Sequence, residues 1–193
     1  GVQTCALPIY VVSLVAGVGR LAPAPGVPEG HRVIEAARRA GKPIVSELEL
    51  AYGFEVESGR HRPMLGITGT DGKTTTTLMT NSILESAGRK PMAVGNTDLP
   101  LIAALETTAD CFAVECSSFR LAFTDRFRCK ASAWLNVAPD HLDWHTNYDS
   151  YFAAKAKLWA HVSAGETVRS SRPAEHNIAS RSDSASSRCG VRR

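Results

Sequence analysis

The sequence lacks a long apolar segment, and this absence excludes the simplest kind of membrane protein. No apolar run approaches the roughly 20 residues that a membrane-spanning helix requires. The first ten residues also lack the basic region and the small-residue cleavage site of a secretory signal. With 193 residues, 44% of them hydrophobic, the chain can form one sizeable core or one domain plus part of another. We therefore expect a soluble, cytoplasmic protein.

Cysteine is scarce and is not arranged for metal binding. The five cysteines form no C-x-x-C pair and show no metal-ligand spacing; they are Cys5, Cys111, Cys116, Cys129 and Cys189. Reduced and mostly buried thiols are the expectation for such residues in a cytosolic protein.

The positive charge of the sequence is concentrated at its end. The formal net charge is +3, but Arg169–Arg193 holds six Arg against Glu175 and Asp183. The remainder is therefore slightly negative and shows no basic patch of the kind that binds nucleic acid. We expect no nucleic-acid partner.

A glycine-rich loop is the most informative feature of the sequence. The apolar run Met64–Ile67 leads into Gly69-Thr70-Asp71-Gly72-Lys73-Thr74-Thr75, and a helix is predicted to follow. This order of strand, glycine turn and helix start is typical of a phosphate-binding loop, in which backbone N–H groups face an anion. Lys73 would reach the terminal phosphates and the Thr74 hydroxyl would bind Mg²⁺. The spacing departs from the strict G-x-x-x-x-G-K-[ST] form, so an ordinary glycine turn is the alternative.

The rest of the chain alternates strand and helix around this loop, as expected for an α/β fold with a doubly wound, mostly parallel sheet. Helices are predicted at Thr75–Ala87, Leu99–Leu105 and Tyr148–Trp159, and strands at Met92–Val94, Cys111–Glu115 and Ala131–Val137. In the first of these helices, Leu78, Met79, Ile83 and Leu84 share one apolar face.

Upstream of the loop, the pattern resembles the remnant of a Rossmann-like α/β domain. A buried strand is predicted at Tyr10–Val18, a helix at His31–Ala40 closed by Gly41, a short strand at Pro43–Val45 and a second helix from Ser46. The polar stretch Tyr52–Pro63 has the composition of a connection between domains.

Composition divides the chain into five segments. We interpret residues 1–9 as a non-native scar, with a small genuine strand as the alternative, and residues 10–55 as the end of an N-terminal domain. Residues 56–63 form the predicted linker and residues 64–168 a partial nucleotide-binding domain. From 169 to 193 the sequence is Ser- and Arg-rich without an apolar period, which predicts a disordered or non-native tail where a further strand is expected.

Polar residues follow the predicted strands of the second domain. They are Thr68 and Thr70, Asn96, Glu115, and the group of Asn136, Asp140 and His141. Because the carboxyl ends of parallel strands border the ligand crevice of an open sheet, these side chains are expected to meet at one site.

Each candidate side chain at this site has a structural alternative. Glu115 could supply an oxygen to a hard cation or be a solvated strand end. His141 could bind a second divalent ion or be a surface residue. Lys155 could belong to the site, or be an ordinary lysine whose stem lies on an apolar surface. Asn96 and Ser117 could hold a sugar or phosphate, or cap local backbone.

Several motifs, taken in order, identify a family. The segments ITGTDGKTTTT, GNTDLP, AVECSSFRL, LNVAPDHLDWH and SYFAAKAKLW resemble the central ATPase domain of the Mur ligases of peptidoglycan synthesis. The upstream segment PGVPEGHRVIEAARRAGKPIVSELELAY is similar to the end of the N-terminal domain of these enzymes. The Ser-Ser-Phe after Glu115 is most similar to the branch that adds D-glutamate.

The resemblance implies ATP-driven amide-bond formation. The carboxylate of UDP-N-acetylmuramoyl-L-alanine would attack the γ-phosphate of ATP and release ADP. The amine of D-glutamate would then attack the acyl phosphate, with loss of phosphate. Gly69, Thr70, Asp71, Gly72, Lys73, Thr74 and Thr75 would hold ATP, with Lys73 among the catalytic groups. Thr74 and Glu115 would serve one Mg²⁺, and His141, with a carbamylated Lys155, a second. Asn96 and Ser117 would contact the UDP-sugar.

The sequence also departs from the family pattern. Asp71 stands where Asn is usual, Thr97 and Asp98 replace Ile-Gly, and Arg120 replaces Gln. The resemblance further implies a truncated chain that keeps the phosphate and metal core, acts as a monomer on small-molecule substrates and does not turn over alone. A sibling ligase, a folylpolyglutamate synthase, a nucleotide-binding module without ligase chemistry and an interaction protein are the alternatives.

Overall fold

The fold is a five-stranded sheet with helices packed on it. The computed structural model describes residues 15–160 and the backbone of residues 167–170. The helices are α1 (Arg32–Arg39), α2 (Glu47–Glu57), α3 (Lys73–Ser86), α4 (Leu101–Ala104), α5 (Ser118–Ala122) and α6 (Tyr148–Ala156). The strands are β1 (Met64–Thr68), β2 (Pro91–Gly95), β3 (Cys111–Glu115), β4 (Ala131–Trp134) and β5 (Thr167–Ser170).

The sheet is parallel throughout and has the order β2-β3-β1-β4-β5. The central strand β1 pairs with β3 on one side, with Ile67 opposite Glu115, and with β4 on the other, with Thr68 opposite Trp134. Parallel pairing brings the carboxyl ends of β1, β3 and β4 to one edge of the sheet. The predicted α/β fold with a parallel sheet is confirmed.

Local capping explains where several helices begin and end. Helix α2 begins where a second helix was predicted, and the Ser46 hydroxyl accepts a hydrogen bond from the Glu49 amide there. Asn147 and Ser150 form a reciprocal capping box at the start of α6. Beyond α1 and α3, Gly41 and Gly88 take positive φ angles of 61° and 78°, which glycine adopts without strain.

Two hydrophobic clusters form the core. The larger one includes Met64, Val94, Phe112 and Leu121 and also takes in Leu48 and Ala51 of α2. The smaller one lies around α1 and contains Val15, Val33, Ile34, Ala36 and Ala37. Helix α2 therefore packs with the sheet rather than with α1.

The apolar face predicted for α3 is exposed. Leu78, Met79 and Ile83 expose 53%, 59% and 64% of their surface, and Thr77 is the residue of this helix that is buried. These three side chains share the predicted face, but that face does not pack on the sheet. Periodicity finds the face of a helix that is apolar, but it does not say which face meets the sheet.

The polar stretch predicted to connect two domains begins as helix. Residues 52–57 belong to α2, which ends at Glu57, so the first part of this stretch is helical, and its role as a linker stays a prediction. Two charged residues of this polar stretch form an ion pair. Buried Glu55 pairs with Arg62 at 2.6 Å between Oε2 and Nη2.

The ends of the chain also differ from expectation. A strand is present at Thr167–Ser170, where the sequence predicted that the pattern collapses, because pairing with β4 supplies the hydrogen bonds that local sequence does not signal. Residues Val15–Gly17, predicted as the end of a strand, form a 3-10 turn. The predicted scar, residues 10–14 and residues 171–193 lie outside the described residues.

The remaining predictions concern thiols and membrane spans. Cys111, Cys116 and Cys129 are buried, as expected, whereas Cys5 and Cys189 lie outside the described residues. Burial raises the pKa of the Cys116 thiol to about 12. Within the described part of the chain, no helix is long and apolar enough to cross a bilayer.

Candidate functional site

The glycine loop joins β1 to α3 at the carboxyl edge of the sheet. Gly72 has φ 79° and precedes the first residue of α3, so the chain enters the helix through a left-handed turn. A Cβ atom on Gly69 would lie 3.1 Å from the Leu135 side chain, so the loop passes close to the end of β4. Lys73 Nζ donates to the Thr70 carbonyl at 2.7 Å and closes the loop on itself.

Asn136 holds the loop from the neighbouring strand end. Its side-chain oxygen Oδ1 accepts from the backbone amides of Thr70 and Asp71, both at 2.9 Å, and its Nδ2 donates to the Asp71 carbonyl at 3.1 Å. The amide of a side chain thus supplies both an acceptor and a donor to the loop backbone. The sequence identified Asn136 as a polar strand end but gave it no role.

Lys155 lies beneath the loop and is buried. It exposes 2% of its surface, and its Nζ donates to the Gly69 carbonyl at 2.6 Å. Burial lowers the pKa of Lys155 to about 7, and the positive charge of Lys73 contributes in the same direction. Because the amine is buried, the alternative of an ordinary solvent-reaching lysine is wrong.

Tyr151 joins the same group from one turn earlier on α6. Its hydroxyl lies 2.8 Å from the Thr70 hydroxyl, and its ring centroid lies 4.7 Å from Lys155 Nζ. Burial raises the pKa of Tyr151. The sequence reasoning missed Tyr151, although its spacing of four residues from Lys155 places both on one helix face.

Glu115 is a buried carboxylate at the end of β3. It exposes 2% of its surface, its Oε1 accepts from Asn96 Nδ2 at 3.3 Å, and Oε2 has no hydrogen-bond partner among the described residues. The alternative of a solvated strand end is therefore wrong. A buried carboxylate oxygen without a donor is a costly arrangement unless a cation or water occupies the adjoining space. The residue thus has the chemistry of a ligand for a hard cation.

His141 lies in the loop after β4 and is partly exposed. Its Nε2 is 3.3 Å from Asp140 Oδ2, its φ is 53°, and its ring centroid is 4.6 Å from that of Phe119. Within residues 15–160, no three His, Cys, Asp or Glu side chains form a group that could hold a metal ion. The metal ligands that the family resemblance implies also include Lys155 and Thr74, and Thr74 is exposed at the start of α3.

His145 is a buried imidazole beside this group. Its two ring nitrogens have no hydrogen-bond partner in the described part of the chain, and its ring centroid is 5.4 Å from that of Tyr151. Burial lowers the pKa of His145 to about 4, and the charges of His141 and Lys155 contribute in the same direction. The ring is therefore neutral at neutral pH.

Asn96 and Ser117 lie at the ends of adjacent strands. Asn96 is exposed and contacts Glu115, as described above. Ser117 is buried, and its hydroxyl accepts from the Arg120 amide at 3.4 Å, so it caps α5. Ser117 therefore caps local backbone, which was the alternative to a role in binding. Its contact with the UDP-sugar stays a prediction.

The candidate residues thus share one edge of the sheet. The loop that carries Lys73 follows β1, Asn136 follows β4, and Glu115 is the last residue of β3. Lys155 contacts the loop from α6. The arrangement places the glycine loop, two lysines and a buried carboxylate at one edge of the sheet. Such a set fits a phosphorylated ligand with its cation.

Curated proteins that are similar to this chain in sequence carry the same name. The chain is 40% identical to a UDP-N-acetylmuramoylalanine–D-glutamate ligase of Syntrophus aciditrophicus over 159 residues, which are 81% of this chain and 34% of that protein. It is 44% identical over 137 residues to the ligase of the same name from Frankia casuarinae, covering 70% of this chain and 28% of that protein. The chain therefore spans about a third of the length of these curated relatives.

A solved structure supports the fold. The UDP-N-acetylmuramate:L-alanyl-gamma-D-glutamyl-meso-diaminopimelate ligase from Neisseria meningitides matches with a TM-score of 0.50 and 19% identity, covering 83% of this chain and 54% of that chain. The sequence profile described as the Mur ligase middle domain matches residues 67–187. Because this match covers more than half of the residues, the chain belongs to the Mur ligase family.

Proposed function

We propose that this chain is the phosphate-binding part of an ATP-dependent ligase of peptidoglycan synthesis. The reaction would join D-glutamate to UDP-N-acetylmuramoyl-L-alanine through an acyl phosphate. The relatives named as D-glutamate ligases support the choice of amino acid. The observation that carries the proposal is the buried Glu115 carboxylate, which has one oxygen without a partner among the described residues and ends the strand next to the glycine loop.

The proposed chemistry is mainly electrostatic. The substrate carboxylate, the triphosphate and the transferred phosphoryl group are all anionic, so their approach requires positive charge. Residues 69–75 would hold ATP through backbone amides and Lys73. Thr74 and Glu115 would hold one Mg²⁺ and His141 a second, where the cations would neutralise the phosphoryl oxygens.

Lys155 would serve the second cation after carbamylation. A carbamate requires an unprotonated amine, and burial places the pKa of Lys155 at about 7, so the neutral form is accessible near neutral pH. Carbamylation would convert a cation into an oxygen anion that suits Mg²⁺. We further propose that Asn96 and Ser117 contact the UDP-sugar and that the enzyme acts as a cytoplasmic monomer.

Isothermal titration with MgATP tests the phosphate site on this chain. We expect measurable binding by the parent, and a loss of at least about tenfold in affinity for Lys73→Ala because a charged contact to phosphate is removed. Lys130→Ala is the matched control, since Lys130 is exposed at the start of β4, at the opposite end of the strands. Equal affinities of the parent and Lys73→Ala, or no binding by the parent, would overturn the proposal for this chain.

The acceptor is tested with a longer gene product that includes this chain. Ligation of D-glutamate to UDP-N-acetylmuramoyl-L-alanine is expected, in preference to longer UDP-muramoyl peptides or folates. Preference for another acceptor would instead favour a sibling Mur ligase or a folylpolyglutamate synthase. ATP binding without any ligation would favour a nucleotide-binding module.

A further inference from the structure

We propose that Glu47 is a positioning residue for the acceptor side of the site. In this view Glu47, which lies on α2 outside the glycine loop, fixes the relative position of the two segments that carry Asn96 and Ser117. The inference rests on the proposed function, because it assigns a purpose to residues whose contact with the UDP-sugar is itself proposed.

Glu47 contacts two elements at once. Its Oε1 accepts from the backbone amide of Ile102 at 2.6 Å, and its Oε2 pairs with Nη1 of Arg120. The side chains expose 21% of Glu47 and 12% of Arg120, so water screens this ion pair only weakly. One carboxylate therefore bridges α4 and α5.

The first contact is transmitted to Asn96. The segment between β2 and α4 is closed on itself, because the Gly95 amide donates to the Leu99 carbonyl at 3.0 Å. Gly95 has φ 101°, and a Cβ atom there would lie 2.4 Å from the Glu115 carbonyl oxygen, so only glycine allows this close approach to β3. The Asn96 amide donates to the same carbonyl at 2.9 Å and holds the segment on β3. Anchoring Ile102 therefore restrains the segment that presents Asn96.

The second contact is transmitted to Ser117. Helix α5 is a short helix of five residues that begins directly after Ser117, and the Ser117 hydroxyl accepts from the Arg120 amide. Holding the Arg120 guanidinium on Glu47 therefore fixes the rotation of α5 and the direction of Ser117.

Two buried carboxylates of α2 provide a matched comparison for Glu47. Glu49 accepts from the backbone amides of residues 125–127, and Glu55 pairs with Arg62. Both attach α2 to the sheet domain, but neither contacts α4 or α5. A merely structural role for Glu47 would make its removal resemble the removal of Glu49.

Amide exchange and ¹⁵N spectra of the ligand-free chain test the proposal. In Glu47→Ala we expect the Ile102 amide to exchange roughly tenfold faster, because a hydrogen bond to a charged acceptor is lost. The Asn96 side-chain amide and the Ser117 backbone amide are expected to shift. Glu47→Gln keeps an acceptor for Ile102, so the Ile102 amide is expected to exchange as slowly as in the parent. Because the charge that pairs with Arg120 is lost, the Arg120 and Ser117 signals are expected to stay shifted from their parent positions.

Glu49→Ala is the control for general destabilisation. We expect it to speed exchange broadly while leaving the Asn96 and Ser117 signals in place. The proposal is overturned if Glu47→Ala leaves those two signals unchanged, or if Glu49→Ala moves them equally.

Ligand titrations separate this proposal from the proposed function. MgATP affinity is expected to be the same in Glu47→Ala and in the parent, whereas affinity for UDP-N-acetylmuramoyl-L-alanine is expected to fall about tenfold. A parent that binds neither ligand would refute the proposed function and the acceptor purpose of Glu47. The spectra would still decide whether Glu47 positions the two segments.

Discussion

At the scale of single residues, Glu49 shows how a buried charge is stabilised. Burial by itself raises the pKa of this carboxyl, but hydrogen bonds from the backbone amides of Asp125, Phe127 and Arg126 outweigh it, and the pKa lies below its usual 4.5. The folded state therefore favours the ionised form. The resulting stability is present above about pH 4.5 and is lost as the pH falls through the lower pKa of the folded state.

We predict that Glu49→Gln destabilises the chain by about 2 kcal/mol, because an amide nitrogen cannot accept from the amides that now face the carboxylate. Urea unfolding at pH 7 measures the change. The exposed Glu57, on the same helix, gives the control Glu57→Gln, which we expect to change stability by less than about 0.5 kcal/mol. Similar losses for both variants would show that the hydrogen bonds to the Glu49 carboxylate do not stabilise the fold.

The stability of the folded chain also depends on pH through His145, whose pKa is lowered by burial rather than by hydrogen bonds. Its pKa is about 4 in the folded chain against 6.5 for the ordinary group, so the unfolded chain binds an additional proton between these values. The groups that face it are His141, Asp143, Lys155 and Glu29, whose Oε2 lies 3.9 Å from Nδ1. Stability contributed by the neutral ring is complete above about pH 6.5 and declines as the pH falls toward 4.

We predict that His145→Phe removes this component of the pH dependence and costs less than about 1 kcal/mol at pH 7. The His145 ring packs among Phe119, Trp144 and Tyr151, and its nitrogens have no hydrogen-bond partner among the described residues, so an aromatic ring can replace it. Unfolding midpoints measured from pH 7 to pH 4 provide the test. An unchanged slope in the variant would show that other groups control acid unfolding.

At the scale of elements, helix α3 combines a site with an exposed apolar face. Its first turn carries Lys73 and Thr74, whereas Leu78, Met79 and Ile83 remain exposed. An apolar patch on a helix is typical of a surface that contacts another element or chain. Nothing in the described residues covers these three side chains.

We predict that Leu78→Gln and Ile83→Gln each change stability by less than about 0.5 kcal/mol, because their side chains are already exposed. Leu101→Ala and Phe112→Ala, both fully buried, are the contrast and should each cost about 3 kcal/mol. Urea unfolding compares the four variants. A large loss for Leu78→Gln or Ile83→Gln would mean that this face is covered in solution.

At the scale of the whole molecule, the chain spans about a third of its curated relatives, so binding and turnover are separate questions. We predict that this chain alone binds MgATP but ligates no detectable D-glutamate to UDP-N-acetylmuramoyl-L-alanine. A coupled assay for phosphate release, run with both substrates, measures turnover. Detectable ligation by this chain would show that its 193 residues contain more of the machinery than we propose.

Several parts of the fold could be predicted because their signals are local. The glycine loop, the helix start at Ser46 and the strand Cys111–Glu115 depend on residues adjacent in sequence, and the structure has them as expected. Strand β5 was missed because its partner β4 lies more than thirty residues away in the sequence. The division into domains remains a prediction.

The sequence by itself determined the order of strands and helices from β1 to α6, the phosphate-type loop and the polar strand ends, since each depends on short-range pattern. Tertiary structure decided which of these groups meet. Lys155 reaches Gly69 across 86 residues, Asn136 reaches Thr70 across 66, and Glu47 reaches Arg120 across 73. Burial and hydrogen-bond partners arise only when distant segments pack, so the state of Lys155, the unpartnered oxygen of Glu115 and the exposed face of α3 could not be derived from local sequence.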